Sequence, residues 1–110
     1  VEVAKASTHL VIALGISGLE KEGEHGDRTS IDLPADQRAL TTALLALGKP
    51  AVVVMFNGGA VSLAQEKAAG AAILEAFLPG KHGAGAVAVA KKHSERLNHE
   101  QRIDNQTRLN

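Results

Sequence analysis

Two continuous runs of apolar residues, 10–14 and 51–56, constrain the fold of this chain more than any other feature. Each ends at glycine or at an Asn-Gly-Gly turn, which is typical of buried parallel strands. Between the runs, apolar residues recur at helical spacing, with Pro34 and Asp36 as start signals and Gly48 and Pro50 as stop signals. These apolar residues are Leu40, Ala43, Leu44 and Leu47. The sequence therefore predicts an α/β layered sandwich with a mainly parallel sheet flanked by helices.

The second half of the chain has a weaker pattern. Residues 65–77 have the composition of a helix, but Gly70 interrupts them, and the segment that follows can equally form a third strand. The Ala-Val alternation over 84–90 fits either a packed helix or a strand. From Lys91 onward the chain is polar. We expect residues 1–90 to form the sandwich domain and 91–110 a polar tail.

Composition narrows the classes of function. The net charge of zero gives no general attraction to nucleic acid or to a membrane, and no apolar run approaches the roughly 20 residues of a membrane helix. The chain has no cysteine, which removes thiolate metal sites and fits a cytosolic protein without excluding a secreted or periplasmic one. A first residue of Val1 suggests a processed product or a piece of a longer protein. Localisation is left open.

An acidic segment, residues 20–28, follows the first predicted strand and is the strongest candidate for chemistry. It contains three closely spaced glutamates among glycines, which favour a bent backbone over a helix. Loops at the carboxyl ends of strands are where ligands bind in open α/β sheets. Glutamates this close together also raise one another's pKa, as a general acid working near neutral pH requires. The alternative is a solvated loop without a catalytic group.

Other sites have less support. The turns at 57–59 and 80–85 are glycine-rich, but neither has the full spacing of a dinucleotide or Walker motif, so ordinary turns are the better interpretation. No two histidines have the i, i+4 spacing of a helical metal pair. They are His9, His25, His82, His93 and His99. A nucleophile elbow of the Gly-x-Ser-x-Gly type is absent from the sequence. We predict no cofactor and no metal.

The order and spacing of several short motifs together resemble one family. From Leu10 to Pro79, about two thirds of the chain, the sequence resembles the second domain of family 3 glycoside hydrolases, the β-glucosidases and β-xylosidases. The matching pieces are the strand 11–15, Gly26-Asp27-Arg28, Ile31-Asp32-Leu33-Pro34 with Gln37 and Leu40, residues 48–54, Asn57-Gly58-Gly59, and residues 72–80. The resemblance also favours a strand, not a helix, over residues 73–76.

The resemblance implies a retaining exo-glycosidase that divides its chemistry between two domains. An aspartate on a preceding (β/α)₈ barrel domain is the implied nucleophile, and a glutamate of the acidic segment is the implied general acid/base. Counting back from Asp27-Arg28 selects Glu24, whereas matching forward from the strand selects Glu22, with a smaller share for Glu20. The implied partners are an oligosaccharide or aryl β-glycoside substrate and the barrel domain. Asp27 and Arg28 are expected to pair and to shape the loop.

Departures from the family pattern leave alternatives open. Leu78 stands where members commonly carry an aromatic residue, and the chain has no Trp or Tyr on which a sugar ring can stack. Substrate-binding residues are therefore not assigned. One alternative is a non-catalytic α/β module that binds a carbohydrate or a partner through residues 20–36. The other is a nucleotide-binding α/β domain that uses the two glycine-rich turns.

Overall fold

The computed structural model describes residues 1–16, 28–93 and 96. The elements are α1 (Glu2–Ala6), β1 (Leu10–Gly15), α2 (Ala35–Leu45), β2 (Ala51–Phe56), α3 (Ala64–Ala68) and β3 (Ala72–Glu75). Residues 83–93 form a further helix, α4. Among the described residues, no helix has the length and apolar character needed to cross a membrane.

The three strands form one parallel sheet in the order β1-β2-β3. Leu10 of β1 pairs with Ala51 of β2, and Val52 of β2 pairs with Ala72 of β3. With helices between successive strands, this is the α/β sandwich that the two apolar runs predicted. The third strand is also confirmed, since residues 72–75 extend alongside β2 while the helix before them ends at Ala68.

The hydrophobic core lies on one face of this sheet. Alternate residues of β1 and β2 supply most of it, and Leu33, Leu44, Leu45 and Leu63 pack against them. The strand residues of the core are Leu10, Ile12, Leu14, Ala51, Val53 and Met55. β2 is central, and its first five residues are all buried. Along β1, however, burial alternates, and Val11 is 52% exposed. The prediction of a fully buried strand thus holds for β2 and for one face of β1.

Helix α2 has the predicted start and stop. It follows Pro34, whose carbonyl accepts a hydrogen bond from the Arg38 amide at 2.9 Å. After it, Gly48 adopts a φ of 65°, a left-handed conformation that glycine reaches without steric cost. The face of α2 that packs on the sheet differs from the face that its apolar residues predicted. Leu40 is 47% exposed, whereas Thr41 is fully buried.

This rotation of α2 follows from its polar contacts. The Thr41 hydroxyl donates to the Gln37 carbonyl at 2.8 Å, so its only polar side-chain group is satisfied inside the helix. Four residues earlier on the same face, the Gln37 side chain bonds to the backbone of β1. Because both groups are hydrogen-bonded, they can be buried at little cost. Leu44 continues this face into the core.

Residues 84–90, left open between helix and strand, are part of α4. The helix continues through residues 91–93. Apart from Arg96, the remainder of the expected polar tail lies outside the described residues. The division of the chain into 1–90 and 91–110 therefore stays a prediction.

Candidate functional site

The carboxyl edge of the sheet, where β1 and β2 both end, is the first feature of the candidate site. Gly15 and Phe56, the last residues of the two strands, are register partners. One residue further, the Ile16 amide donates to the Phe56 carbonyl at 3.0 Å. The chain therefore leaves β1 toward the acidic segment directly beside the Asn57-Gly58-Gly59 turn that follows β2.

The other side of Gly15 is held by a side chain. Gln37 of α2 donates from Nε2 to the Gly15 carbonyl at 2.7 Å, and its Oε1 accepts from the Gly15 amide at 3.1 Å. The amide and the carbonyl of Gly15 face away from β2, and Gln37 gives each of them a hydrogen-bond partner. The primary amide of Gln37 takes the place of a neighbouring strand at this one residue.

Arg28 is the last residue of the acidic segment and begins the stretch of chain that leads to α2. Its guanidinium donates to the Asp32 carbonyl at 3.2 Å and to the Ala60 carbonyl at 2.9 Å. Beyond it, Asp32 and Ser62 form a parallel bridge, and the Ser62 amide donates to the Ile31 carbonyl at 2.8 Å. The end of the acidic segment is therefore tied to the segment after β2.

Asn57 fixes the turn at the end of β2. Its side chain is buried with the residue only 2% exposed, and its Nδ2 donates to the Gly59 carbonyl at 2.6 Å. The other polar atom, Oδ1, has no hydrogen-bond partner within the part of the chain that the structure describes. A buried acceptor of this kind costs about 1–3 kcal/mol when it is left unpaired. Among the described residues, Asn57 Oδ1 is thus a buried acceptor at the carboxyl edge without a partner.

The sequence-predicted residues divide into two groups. Glu20, Glu22, Glu24 and Asp27 lie outside the described residues. Arg28 is described, and two of its hydrogen bonds run to the backbone carbonyls of Asp32 and Ala60.

Other residues considered from the sequence lie on the surface. Leu78 is 77% exposed, and Phe77 beside it is 63% exposed with a φ of 52°. His9, His82 and His93 are exposed. Within residues 1–16, 28–93 and 96, no group of three or more His, Asp or Glu side chains is arranged to hold a metal ion.

One polar residue that the sequence did not single out is buried beside a pocket. Glu66 of α3 is 2% exposed. It lines a pocket of about 190 Å³ with Asp32, Leu33, Arg38, Ser62, Ala64 and Gln65. In this pocket, Nη1 of Arg38 lies 3.7 Å from Oδ2 of Asp32.

Gln37 is the second residue whose role the sequence did not reveal. It stands at the start of a helix in a polar, surface-like context. Its spacing in the sequence could have indicated this role. Gln37, Thr41 and Leu44 follow one another at intervals of four and three residues, which places all three on one face of a helix.

Comparison with known families gives a match over most of the chain. The model of the glycosyl hydrolase family 3 C-terminal domain matches residues 1–90. This range includes the whole sheet, the acidic segment and the turn after β2.

Three similar curated proteins are glycosidases by name. A periplasmic β-glucosidase of Salmonella typhimurium is 40% identical over 89 residues, which are 80% of this chain and 11% of that protein. A xylan 1,4-β-xylosidase of Xylanibacter ruminicola is 46% identical over 63 residues, 57% of this chain and 7% of that protein. An exo-α-(1→6)-L-arabinopyranosidase of Bifidobacterium longum is 36% identical over 89 residues, 80% of this chain and 12% of that protein. The chain thus spans about a tenth of the length of the curated relatives it matches.

Proposed function

Because this chain belongs to glycosyl hydrolase family 3, matching its C-terminal domain over residues 1–90, we propose that the intact protein is an exo-acting retaining β-glycosidase. Its substrates are terminal β-glucosides or β-xylosides, presented as oligosaccharides or aryl glycosides. The present segment contributes the general acid/base, and a (β/α)₈ barrel domain contributes the nucleophile. The family match over the acidic segment and the sheet that precedes it is the observation that carries this proposal.

The names of the relatives support the reaction class more strongly than the sugar. Two of them name a β-glucosidase and a β-xylosidase, and a third names an arabinopyranosidase. All three names describe hydrolysis of a glycosidic bond, but the sugars differ. We therefore assign the reaction class and leave the choice between glucoside and xyloside to measurement.

The division of labour follows from the chemistry of retention. A retaining glycosidase needs two carboxyl groups roughly 5–5.5 Å apart, one ionised to attack the sugar and one protonated to donate to the leaving oxygen. In this proposal, Glu24 or Glu22 is the proton donor, and the same residue then acts as base toward the incoming water. The nucleophilic aspartate belongs to the barrel domain.

The ends of the acidic segment support its assignment to the site. Ile16, just before the segment, is bonded to Phe56 at the carboxyl edge, and Arg28, at its end, is bonded to Ala60 in the segment after the same strand. Ile16 is thus anchored to the last residue of β2, and Arg28 is anchored to the chain that follows β2. The bonds of the Arg28 guanidinium to two backbone carbonyls support a role for Arg28 in shaping the loop. The same role for Asp27 stays a prediction.

The decisive experiment compares Glu24→Gln and Glu22→Gln in the intact protein. Loss of the acid/base should lower hydrolysis of alkyl β-glycosides by about 10²–10⁴-fold, because a basic leaving oxygen needs the proton. Dinitrophenyl glycosides, which leave as stable anions, should be cleaved with a much smaller loss. Added azide should restore turnover of the true acid/base variant by attacking the glycosyl intermediate without base assistance.

Glu2→Gln is a matched control, since Glu2 is an exposed glutamate of α1 whose carboxylate pairs with Lys5 at 2.7 Å. It should leave both substrate classes unchanged. If neither loop variant separates activated from unactivated substrates, the assignment of the acid/base to this segment is wrong.

A further inference from the structure

We infer that Gln37 is a positioning residue for the acid/base, acting by clamping the last residue of β1, from which the acidic segment departs. This inference rests on the proposed function of that segment. Gln37 touches neither substrate nor the proton that is transferred. Its contribution is to fix where the backbone leaves the sheet.

The clamp is specific to one residue. The two hydrogen bonds between Gln37 and Gly15, at 2.7 and 3.1 Å, use both the donor and the acceptor of the primary amide. β1 lies at one side of the described three-stranded sheet, so at Gly15 these backbone groups face away from β2. The amide supplies the pairing that a neighbouring strand would otherwise give.

At Gly15, such a clamp restricts the direction in which the chain leaves β1. Glycine has the widest range of backbone angles, so an unrestrained glycine at the end of a strand lets the following chain swing. On the side of β2, the bond from the Ile16 amide to Phe56 holds the next residue. With Gln37 on one side and Phe56 on the other, the exit of the chain is held from both edges.

The close packing at Gly15 disfavours a bulkier residue that would stiffen the backbone. A Cβ built on Gly15 would lie 3.0 Å from the Phe56 carbonyl oxygen, tighter than ordinary contact. The close contact therefore favours glycine here, and hydrogen bonds from outside groups help to set the direction of its backbone. Gln37 is the described side chain that bonds to it.

Gln37 is itself well supported. It lies in the first turn of α2, and its carbonyl accepts the Thr41 hydroxyl at 2.8 Å. Leu33, two residues before α2, is buried in the core and fixes the entry to the helix. The amide is thus carried by a packed element, as an accurate positioning contact requires.

The test is Gln37→Met in the intact protein. Methionine has a similar length but cannot make either hydrogen bond. A misplacement of about 1 Å at a reacting group can cost 10²-fold, so we expect kcat/KM for an alkyl β-glycoside to fall about 10- to 100-fold. For a dinitrophenyl β-glycoside, which does not need the proton, the loss should stay below about 3-fold.

Gln65→Met is the matched control. It is the same substitution at a glutamine whose Nε2 donates to the Thr42 hydroxyl at 2.6 Å, a contact between α3 and α2. It should affect both substrates equally. Gln37→Glu is the second variant, because it keeps an acceptor for the Gly15 amide, whereas its second carboxylate oxygen cannot donate to the Gly15 carbonyl and repels it. It tests the clamp if the methionine variant does not fold, and it should show the same selective loss.

The outcomes separate this inference from the proposed function. A selective loss in Gln37 variants, alongside the selective loss in a Glu24 or Glu22 variant, supports both. If a loop glutamate separates the substrates but Gln37 variants lower both rates equally or not at all, the clamp is only structural and the inference is overturned. If no loop glutamate separates them, the proposed function fails and the inference fails with it.

Discussion

Lys49 is expected to hold the amino-terminal helix in place, and its removal gives a sharp test. Its ammonium donates to three backbone carbonyls, those of Ala4 at 2.8 Å, Lys5 at 2.5 Å and Ser7 at 2.5 Å. Helix α1 has five residues, none of them buried, and a helix this short is unstable alone. The carbonyls at its end lack partners within the helix, and a cation there is favourable.

The expected magnitude follows from the exposure of these bonds. Hydrogen bonds to a charged donor contribute about 1.5–3 kcal/mol each when they are shielded from water. The bonds to Ala4 and Ser7 are partly buried, whereas the bond to Lys5 is exposed and is replaced readily by water. Three bonds to one donor are not additive. For Lys49→Met we therefore expect the free energy of local opening of α1 to fall by about 2–3 kcal/mol.

Amide hydrogen exchange measures this opening without unfolding the whole protein. A loss of 2–3 kcal/mol corresponds to exchange about 30- to 150-fold faster at the amides of Lys5 and Ser7, which bond to Val1 and Ala4. Lys67→Met is the control, because Lys67 is exposed on α3 and its side chain makes no hydrogen bond to the described residues. If Lys49→Met accelerates exchange no more than the control does, the carbonyls are held by the fold and not by the ammonium.

One further prediction concerns stability. Gly83→Ala should lower the melting temperature, with a cost of about 1–3 kcal/mol, because the added Cβ would lie 2.5 Å from Pro79 Cβ. A melting temperature that does not fall would refute the clash, and this is the result expected for Gly85→Ala, where the space is open and alanine favours the helix.

The strands were predictable because their signal is local. The apolar runs at 10–14 and 51–56 and the stop at Gly48 and Pro50 each depend on a few adjacent residues, and the structure has strands and a helix end at these places. The third strand was ambiguous from the residues alone, since Ala, Glu and Lys before Gly70 favour a helix. Both interpretations hold in part, because α3 and β3 divide this segment between them.

The orientation of α2 was not predictable from its apolar residues. Leu40 suggested one face, but the hydrogen bonds of Gln37 and Thr41 place these polar residues toward the sheet. A buried polar side chain is acceptable only when a distant partner satisfies it, and Gly15 is 22 residues away from Gln37. The burial of Glu66 was not predictable for the same reason, since it depends on how α3 packs. The candidate acid/base residues were found from sequence resemblance, and their roles stay predictions.

The register of the sheet also determines the order in which its parts can assemble. Leu10 pairs with Ala51, 41 positions along the chain, and Val52 pairs with Ala72, 20 positions along. Each doubling of a loop adds only about 0.6 kcal/mol of closure cost, so β2 and β3 are slightly favoured to meet first. During synthesis at about 5–20 residues per second, β1 emerges roughly 2–8 s before the strand that pairs with it. For that interval its apolar residues have no sheet partner, and this is when we expect the nascent chain to need a chaperone.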